Sequence, residues 1–175
     1  MSAKLPVSFI GLGALGAPMA ANLIKAGHCV TGFDTAGIIV EGMTNATSAA
    51  EAVMRADLVI TMLPNGAILR AVADQILPAM HEGSILLDCS TVDVDSARAV
   101  AQDAAARGIL ALDAPVSGGT GGAKVGTLTF MVGGTEAAFH TAQPLFEIMG
   151  QKAVHCGAAG NGQAAKICNN MILGA

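Results

Sequence analysis

Short apolar runs recur along the chain, at Val7 to Ile10, Cys29 to Phe33, Leu58 to Met62, Ser84 to Asp88, Ile109 to Asp113, Leu128 to Val132 and Ala153 to Cys156. Glycine, proline or polar residues bound them, and runs of this length fit strands. Between them lie Ala-rich stretches of helical spacing, near Ala14 to Ala26, Ser48 to Ala56, Ile68 to Leu77, Asp95 to Arg107, Thr135 to Met149 and from Asn161 onward. Ser48, Asp95 and Thr135 stand where N-caps belong. Strands alternating with helices are the pattern of βαβ units, so the chain is predicted to be α/β, a doubly wound and mostly parallel sheet with helices on both faces.

The 175 residues, 53% of them hydrophobic with mean hydropathy +0.58, suffice for one domain, burying roughly 70% of its unfolded surface. Disordered and fibrous classes are excluded. No internal repeat or linker divides the elements. The net charge of −4, with no basic run and neither Trp nor Tyr to stack on bases, argues against a nucleic-acid partner. Lacking tyrosine, the chain also cannot be an enzyme whose proton donor is that residue. Leu5 to Ile24 carries no charge, but glycines, proline and Asn22 interrupt it, which fits a strand, turn and helix and no membrane association. Cys29, Cys89, Cys156 and Cys168 form no Cys-x-x-Cys pair and have no metal-ligand spacing to the histidines. They read as buried, reduced thiols of a cytoplasmic protein, with no metal. Met54, Met62, Met80, Met131 and Met149 read as core filler.

Three segments carry candidate chemistry. Gly11 to Gly16, GLGALG, directly follows a predicted strand and opens a predicted helix, and Asp34 ends the next strand. In that setting Gly11 permits the tight turn, Gly13 lets backbone approach a pyrophosphate, and Gly16 lets helix and strand pack. The helix N-terminus offers free N–H donors to phosphate. A carboxylate at Asp34 would bind ribose hydroxyls and oppose a 2′-phosphate, which favours NAD over NADP as cofactor. The second segment, Asp113 to Gly134, ends a strand in a glycine-rich loop. Its N–H groups and the Ser117 hydroxyl could form a nest for a carboxylate, or the loop could be a bare hairpin. In the third, Gly157 to Ala175, Lys166 and Asn170 share one helical face with Gln163 a turn earlier. A lysine in a cleft could exchange a proton, whereas on an exposed helix it would only be solvated. Met62 to Asn65 and Cys89 to Thr91 end strands at the edge where ligands bind in open α/β sheets.

GLGALGAPMAANL, DAPVSGGTGGAKVGTLTFMVGG and GNGQAAKICNNM, in this order, resemble the cofactor, substrate and catalytic-lysine motifs of the β-hydroxyacid dehydrogenase family across nearly the whole chain. The resemblance implies a Rossmann-type NAD-binding domain over residues 1–160 and the start of an interdomain helix over 161–175. The family's all-helical C-terminal domain is missing, and the last helix is still running at Ala175. It implies Lys166 as general acid/base, Ser117, Gly118 and Gly119 as the anchor of the substrate carboxylate, and Asn170 as the group orienting the substrate. For the cofactor it implies Gly11, Leu12, Gly13, Ala14, Leu15 and Gly16, then Asp34 and Thr35, then Leu63, Pro64 and Thr91.

The implied reaction is NAD-dependent oxidation of the small-molecule hydroxyacid 3-hydroxyisobutyrate to methylmalonate semialdehyde, a step of valine breakdown. Reduction of tartronate or succinate semialdehyde is the alternative within the family, and a non-catalytic dinucleotide-binding module the alternative outside it. Ile167, Met171 and Ile172 should form an exposed apolar face, consistent with a homo-oligomer. Two departures stand out. The stretch between Asp34 and Asp57 is several residues short, which puts the helix after the second strand in doubt. Ile68 occupies a position that is polar in many members, so that cofactor contact is not carried over.

Overall fold

The computed structural model describes residues 4–174; the first three residues of the expected NAD-binding domain, and Ala175, lie outside the described residues. Its larger sheet has six parallel strands: β1 (Pro6–Ile10), β2 (Cys29–Phe33), β3 (Thr44–Asn45), β4 (Leu58–Thr61), β5 (Ile85–Asp88) and β6 (Leu110–Asp113), in the order β3-β2-β1-β4-β5-β6. Its helices are α1 (Gly16–Lys25), α2 (Ala49–Val53), α3 (Gly66–Ile76) and α4 (Val94–Ala105). This is the doubly wound order, reversing between β1 and β4.

Both faces of that sheet are covered, and strand side chains alternate between two cores. Val7, Phe9, Leu58, Ile60, Ile85 and Leu87 face one, whereas Ile10, Val59 and Leu86 face the other. Burial on both sides explains why these strands read as continuous apolar runs.

The chain then builds a second, three-stranded sheet from β7 (Val116–Ser117), β8 (Leu128–Val132) and β9 (Gly150–His155), with α5 (Gly119–Val125), α6 (Glu136–Met149) and α7 (Asn161–Leu173). β7 pairs antiparallel with β8, and β9 parallel with it. An antiparallel bridge joins the sheets, Asp113 N–H donating to Gly133 O at 3.0 Å and Gly133 N–H to Asp113 O at 2.8 Å.

Several expectations need correction. The glycine-rich stretch after β7 is not an open loop; from Gly119 it folds into α5, which the Asn22 side chain of α1 holds by donating to Ala123 O at 2.8 Å. The helix after β2 that the short stretch between Asp34 and Asp57 put in doubt is present, as the five-residue α2 behind β3. The cap of α4 is Asp93, whose carboxylate accepts from Ser96 N–H at 2.7 Å, and not Asp95. Only Cys89 is a buried thiol; Cys29 and Cys168 are exposed and Cys156 is half-buried, all four free. Met54 is exposed and fills no core.

Ile167, Met171 and Ile172 are exposed as expected. No helix among the described residues is long and apolar enough to cross a membrane.

Candidate active site

At the point where the strand order reverses, a cavity of about 270 Å³ opens beyond the carboxyl ends of the strands. Gly11, Gly13, Asp34, Thr35, Leu63 and Pro64 all line it. Met62, at the strand end expected to border a ligand, lines it too; sequence reasoning passed over Val72, and Ile68 also lines it despite its departure from the family pattern. The signal for Ile68 and Val72 was available, since they lie one turn apart on α3, whose N-terminus follows the Met62 to Asn65 strand end. A second hollow of about 280 Å³ shares Phe33 and Asp34 and continues past Ile38 and Ile39.

Backbone geometry shapes the glycine turn. Gly11 has φ +92°, and a side chain there would run into the Met62 carbonyl; one at Gly16 would run into the Gly11 carbonyl. At Gly13 a Cβ would meet nothing within 4 Å, so its missing side chain leaves open space and not a packed contact. The following helix α1 has no side-chain cap. Asp34 bonds nearby backbone, accepting from Leu12 N–H at 2.7 Å and from Ala36 N–H at 2.7 Å. An open glycine, an uncapped helix start and an adjacent carboxylate together fit the pyrophosphate and ribose of a dinucleotide. Leu12 contributes backbone only, because its side chain is in the core. Thr91 does not line the cavity; its buried neighbour Ser90 supports the wall from behind, its Oγ accepting from Leu63 N–H at 2.8 Å.

The Lys166 helix lies over the junction of the two sheets. Asp113 satisfies its N-terminus from β6, Oδ1 accepting from Gly160 N–H at 2.7 Å and Oδ2 from Gln163 N–H at 2.9 Å. Burial holds the Asp113 carboxyl above the usual aspartate range, against the pull of these donors. Its neighbour in register, Asp88, is pushed by burial up to about 6; its Oδ1 accepts from Thr61 Oγ1 and Ser90 N–H while Oδ2 has no partner.

Lys166 is buried, 8% exposed, so it is not the solvated surface lysine that its residue type suggests. No ion pair to it occurs among the described residues, and burial lowers its amine below the ordinary 10.5. Asn170, one turn on, is exposed. Ser117 is half-buried at the end of β7, and Gly118 and Gly119 are exposed with φ +126° and +59°. No hydrogen bond joins Lys166, Asn170 and these three residues among the described ones. A larger groove of about 610 Å³, between α4 and the turn at Ala158 and Ala159, contains none of the expected residues.

Comparison with known proteins agrees with this geometry. The chain is 51% identical over 172 residues to a probable 3-hydroxyisobutyrate dehydrogenase of Mycobacterium tuberculosis, a match covering 95% of the chain and 58% of that protein. Two Pseudomonas aeruginosa proteins are 47% identical, a 3-hydroxyisobutyrate dehydrogenase and an NAD-dependent L-serine dehydrogenase; 96% and 95% of the chain matches, against 59% of each relative. The chain thus spans about three fifths of the length of these relatives. The solved structure of Mycobacterium tuberculosis 3-hydroxyisobutyrate dehydrogenase with L-serine superposes with a TM-score of 0.95 at 49% identity, over 98% of this chain and 60% of that one. Residues 6–157 match the NAD binding domain of 6-phosphogluconate dehydrogenase, and it is to this family that the chain belongs.

Proposed function

We propose that the protein oxidises a short β-hydroxyacid to its semialdehyde with NAD, and that Lys166 takes the hydroxyl proton. The observation that carries this reading is the Lys166 amine, buried with no counter-ion among the described residues, on a helix bonded to the wall of the dinucleotide cavity. NAD, when bound, supplies the hydride acceptor for the alcohol carbon. The glycine turn from Gly11 to Gly16 then holds the pyrophosphate, Asp34 and Thr35 face the adenosine ribose, and Leu63 and Pro64 border the nicotinamide side. Ser117 and the backbone of Gly118 and Gly119 hold the substrate carboxylate, while Asn170 keeps the alcohol oxygen in line with Lys166. Oxidation requires neutral Lys166, so the lowered affinity for its proton raises the active fraction near neutral pH. The rate of oxidation should climb with pH through an inflection below 10.5.

The substrate favoured is 3-hydroxyisobutyrate, giving methylmalonate semialdehyde as in valine breakdown. L-Serine is the second reading, supported by the relative named for it and by the L-serine in the superposed structure. Both molecules present a primary alcohol two carbons from the carboxylate and differ only in the methyl or ammonium group between.

The test is turnover of both acids by the full-length protein beside calorimetric titration with NAD. Lys166→Ala should cost about 10²- to 10⁴-fold in rate with NAD affinity nearly unchanged. Near-normal turnover in that variant refutes the mechanism, and NAD binding without turnover of any hydroxyacid by the wild type would leave only a dinucleotide-binding module.

A further inference from the structure

Gln163 is wholly buried and every polar group it owns is engaged. Its backbone N–H donates to Asp113, its side-chain Oε1 accepts from Val92 N–H at 3.1 Å, and its Nε2 donates to Ser90 O at 2.8 Å. The side chain therefore spans from α7 to the segment after β5, more than 70 residues earlier in the chain. There Ser90 Oγ accepts from Leu63 N–H, and Leu63 lines the dinucleotide cavity. Gly162, next to Gln163, packs so tightly that a Cβ would strike the carbonyls of Asp113 and Met131. The first turn of α7 thus has no lateral freedom, and Lys166 lies three residues along it.

Resting on the acid/base reading of Lys166, we propose that Gln163 is a positioning residue. Through Ser90 it fixes the proton-accepting amine relative to the wall that holds the nicotinamide, so that proton and hydride depart from one aligned substrate. Leu63, Ser90, Gln163 and Lys166 then form one connected line across the cleft. A displacement of about 1 Å at a reacting group can cost 10²-fold, so loss of the link should be visible in turnover.

The experiment compares Gln163→Leu, Gln163→Glu, Ser90→Ala and Lys166→Ala in the full-length protein. Gln163→Leu should lower kcat about 10- to 100-fold, with the KM for hydroxyacid and the calorimetric Kd for NAD within about threefold of wild type. In the Lys166→Ala background the same substitution should have no further effect on the residual rate, because Gln163 acts through the lysine. Gln163→Glu supplies a distinct signature. A protonated glutamic acid keeps one acceptor for Val92 N–H and one donor for Ser90 O, whereas the carboxylate opposes that carbonyl. Of the charged groups around it, Asp113 on β6 accepts from the backbone N–H of residue 163, Asp88 on β5 accepts from Ser90 N–H, Arg98 on α4 donates to Ala159 O just before α7, and Lys166 lies three residues on along the same helix. Measured against wild type at the same pH, this variant should keep most of its kcat at low pH and lose a growing share as pH rises, so that its profile stays flat where the wild-type rate climbs.

A purely structural Gln163 would lower the melting temperature and leave kcat per folded molecule, the non-additivity and the slope of the pH profile unmoved; that result overturns the proposal. Should Gln163→Leu fail to fold, Ser90→Ala decides, since it removes the Leu63 end of the line and keeps the Ser90 carbonyl that Gln163 bonds: a fall in kcat of about 3- to 10-fold supports the role, and an unchanged kcat refutes it. Near-normal turnover by Lys166→Ala would refute the acid/base reading and this role with it. An inactive Lys166→Ala beside normal kcat in Gln163→Leu refutes this role alone.

Discussion

Two helix starts in this molecule are treated in opposite ways. α1 begins behind a glycine turn with no side-chain cap and with open space at Gly13, whereas α7 begins under the buried carboxylate of Asp113, which takes both Gly160 N–H and Gln163 N–H. Each helix start leaves backbone N–H groups needing acceptors. At α7 the protein supplies the acceptor itself, which makes that helix a fixed mount and closes its start to any anion. At α1 the requirement is left for a ligand to meet. The helices α2, α3, α4 and α6 are capped locally by Ser48, Asn65, Asp93 and Thr135, whereas α5, behind Gly118, shares with α1 a start that no side chain caps.

The contrast can be broken most severely at its internal end. Asp113→Ala strands two buried donors and should cost about 4 kcal/mol of stability, read by urea unfolding; a loss below 1 kcal/mol would mean that the carboxylate is not what anchors α7.

Asp88, beside it, sharpens the point with the opposite sign. Its carboxyl titrates near 6 in the fold against an ordinary 3.8. The native state therefore holds a proton that the unfolded chain releases, so stability falls as pH rises from about 4 to about 6 and is level above. Asp88→Asn keeps an acceptor for Thr61 and Ser90 and removes the titration. It should be more stable than wild type by about 2 kcal/mol at pH 8, and the advantage should shrink toward pH 4 in unfolding curves taken across that range.

At the open end, Gly13→Ala should leave the melting temperature near wild type and weaken NAD binding about tenfold, roughly 1.4 kcal/mol. Gly16, which has the Gly11 carbonyl against it, should behave in the reverse manner. The smallest effect concerns the sugar beyond the turn. Wild-type protein should prefer NAD to NADP, and Asp34→Ser with Thr35→Arg should move that preference by about tenfold toward NADP; equal wild-type affinities for the two cofactors would remove Asp34 from its assigned place.

The sequence made the open end far more legible than the closed one. GLGALG and Asp34 are close in the chain, and the strand and helix around them have clear periodicity, so the cavity residues could be named in advance. Asp113 and Gln163 lie 50 residues apart, and nothing in either segment points to the other. The seven predicted strands were readable from apolar runs, but β3 and β7 are two residues each and too short to show a period. α5, Gly-Thr-Gly-Gly-Ala-Lys-Val, has poor intrinsic helix propensity; three glycines cost about 1 kcal/mol each relative to alanine, and contact with α1 overrides them. Lys166 was misleading for a related reason, because its type favours the surface and only its packing over the sheet junction buries it.

One buried group makes this arrangement observable in time. Cys89 sits between Asp88 and Ser90, fully enclosed, with its thiol held well above the usual range by burial, whereas Cys29 and Cys168 face solvent. An alkylating reagent meets the two outer thiols in the native protein but reaches Cys89 only when the ends of β4 and β5 part. The slow phase of alkylation is therefore a clock for the opening of the segment that joins Leu63 to Gln163, available in the unmodified chain without an added label.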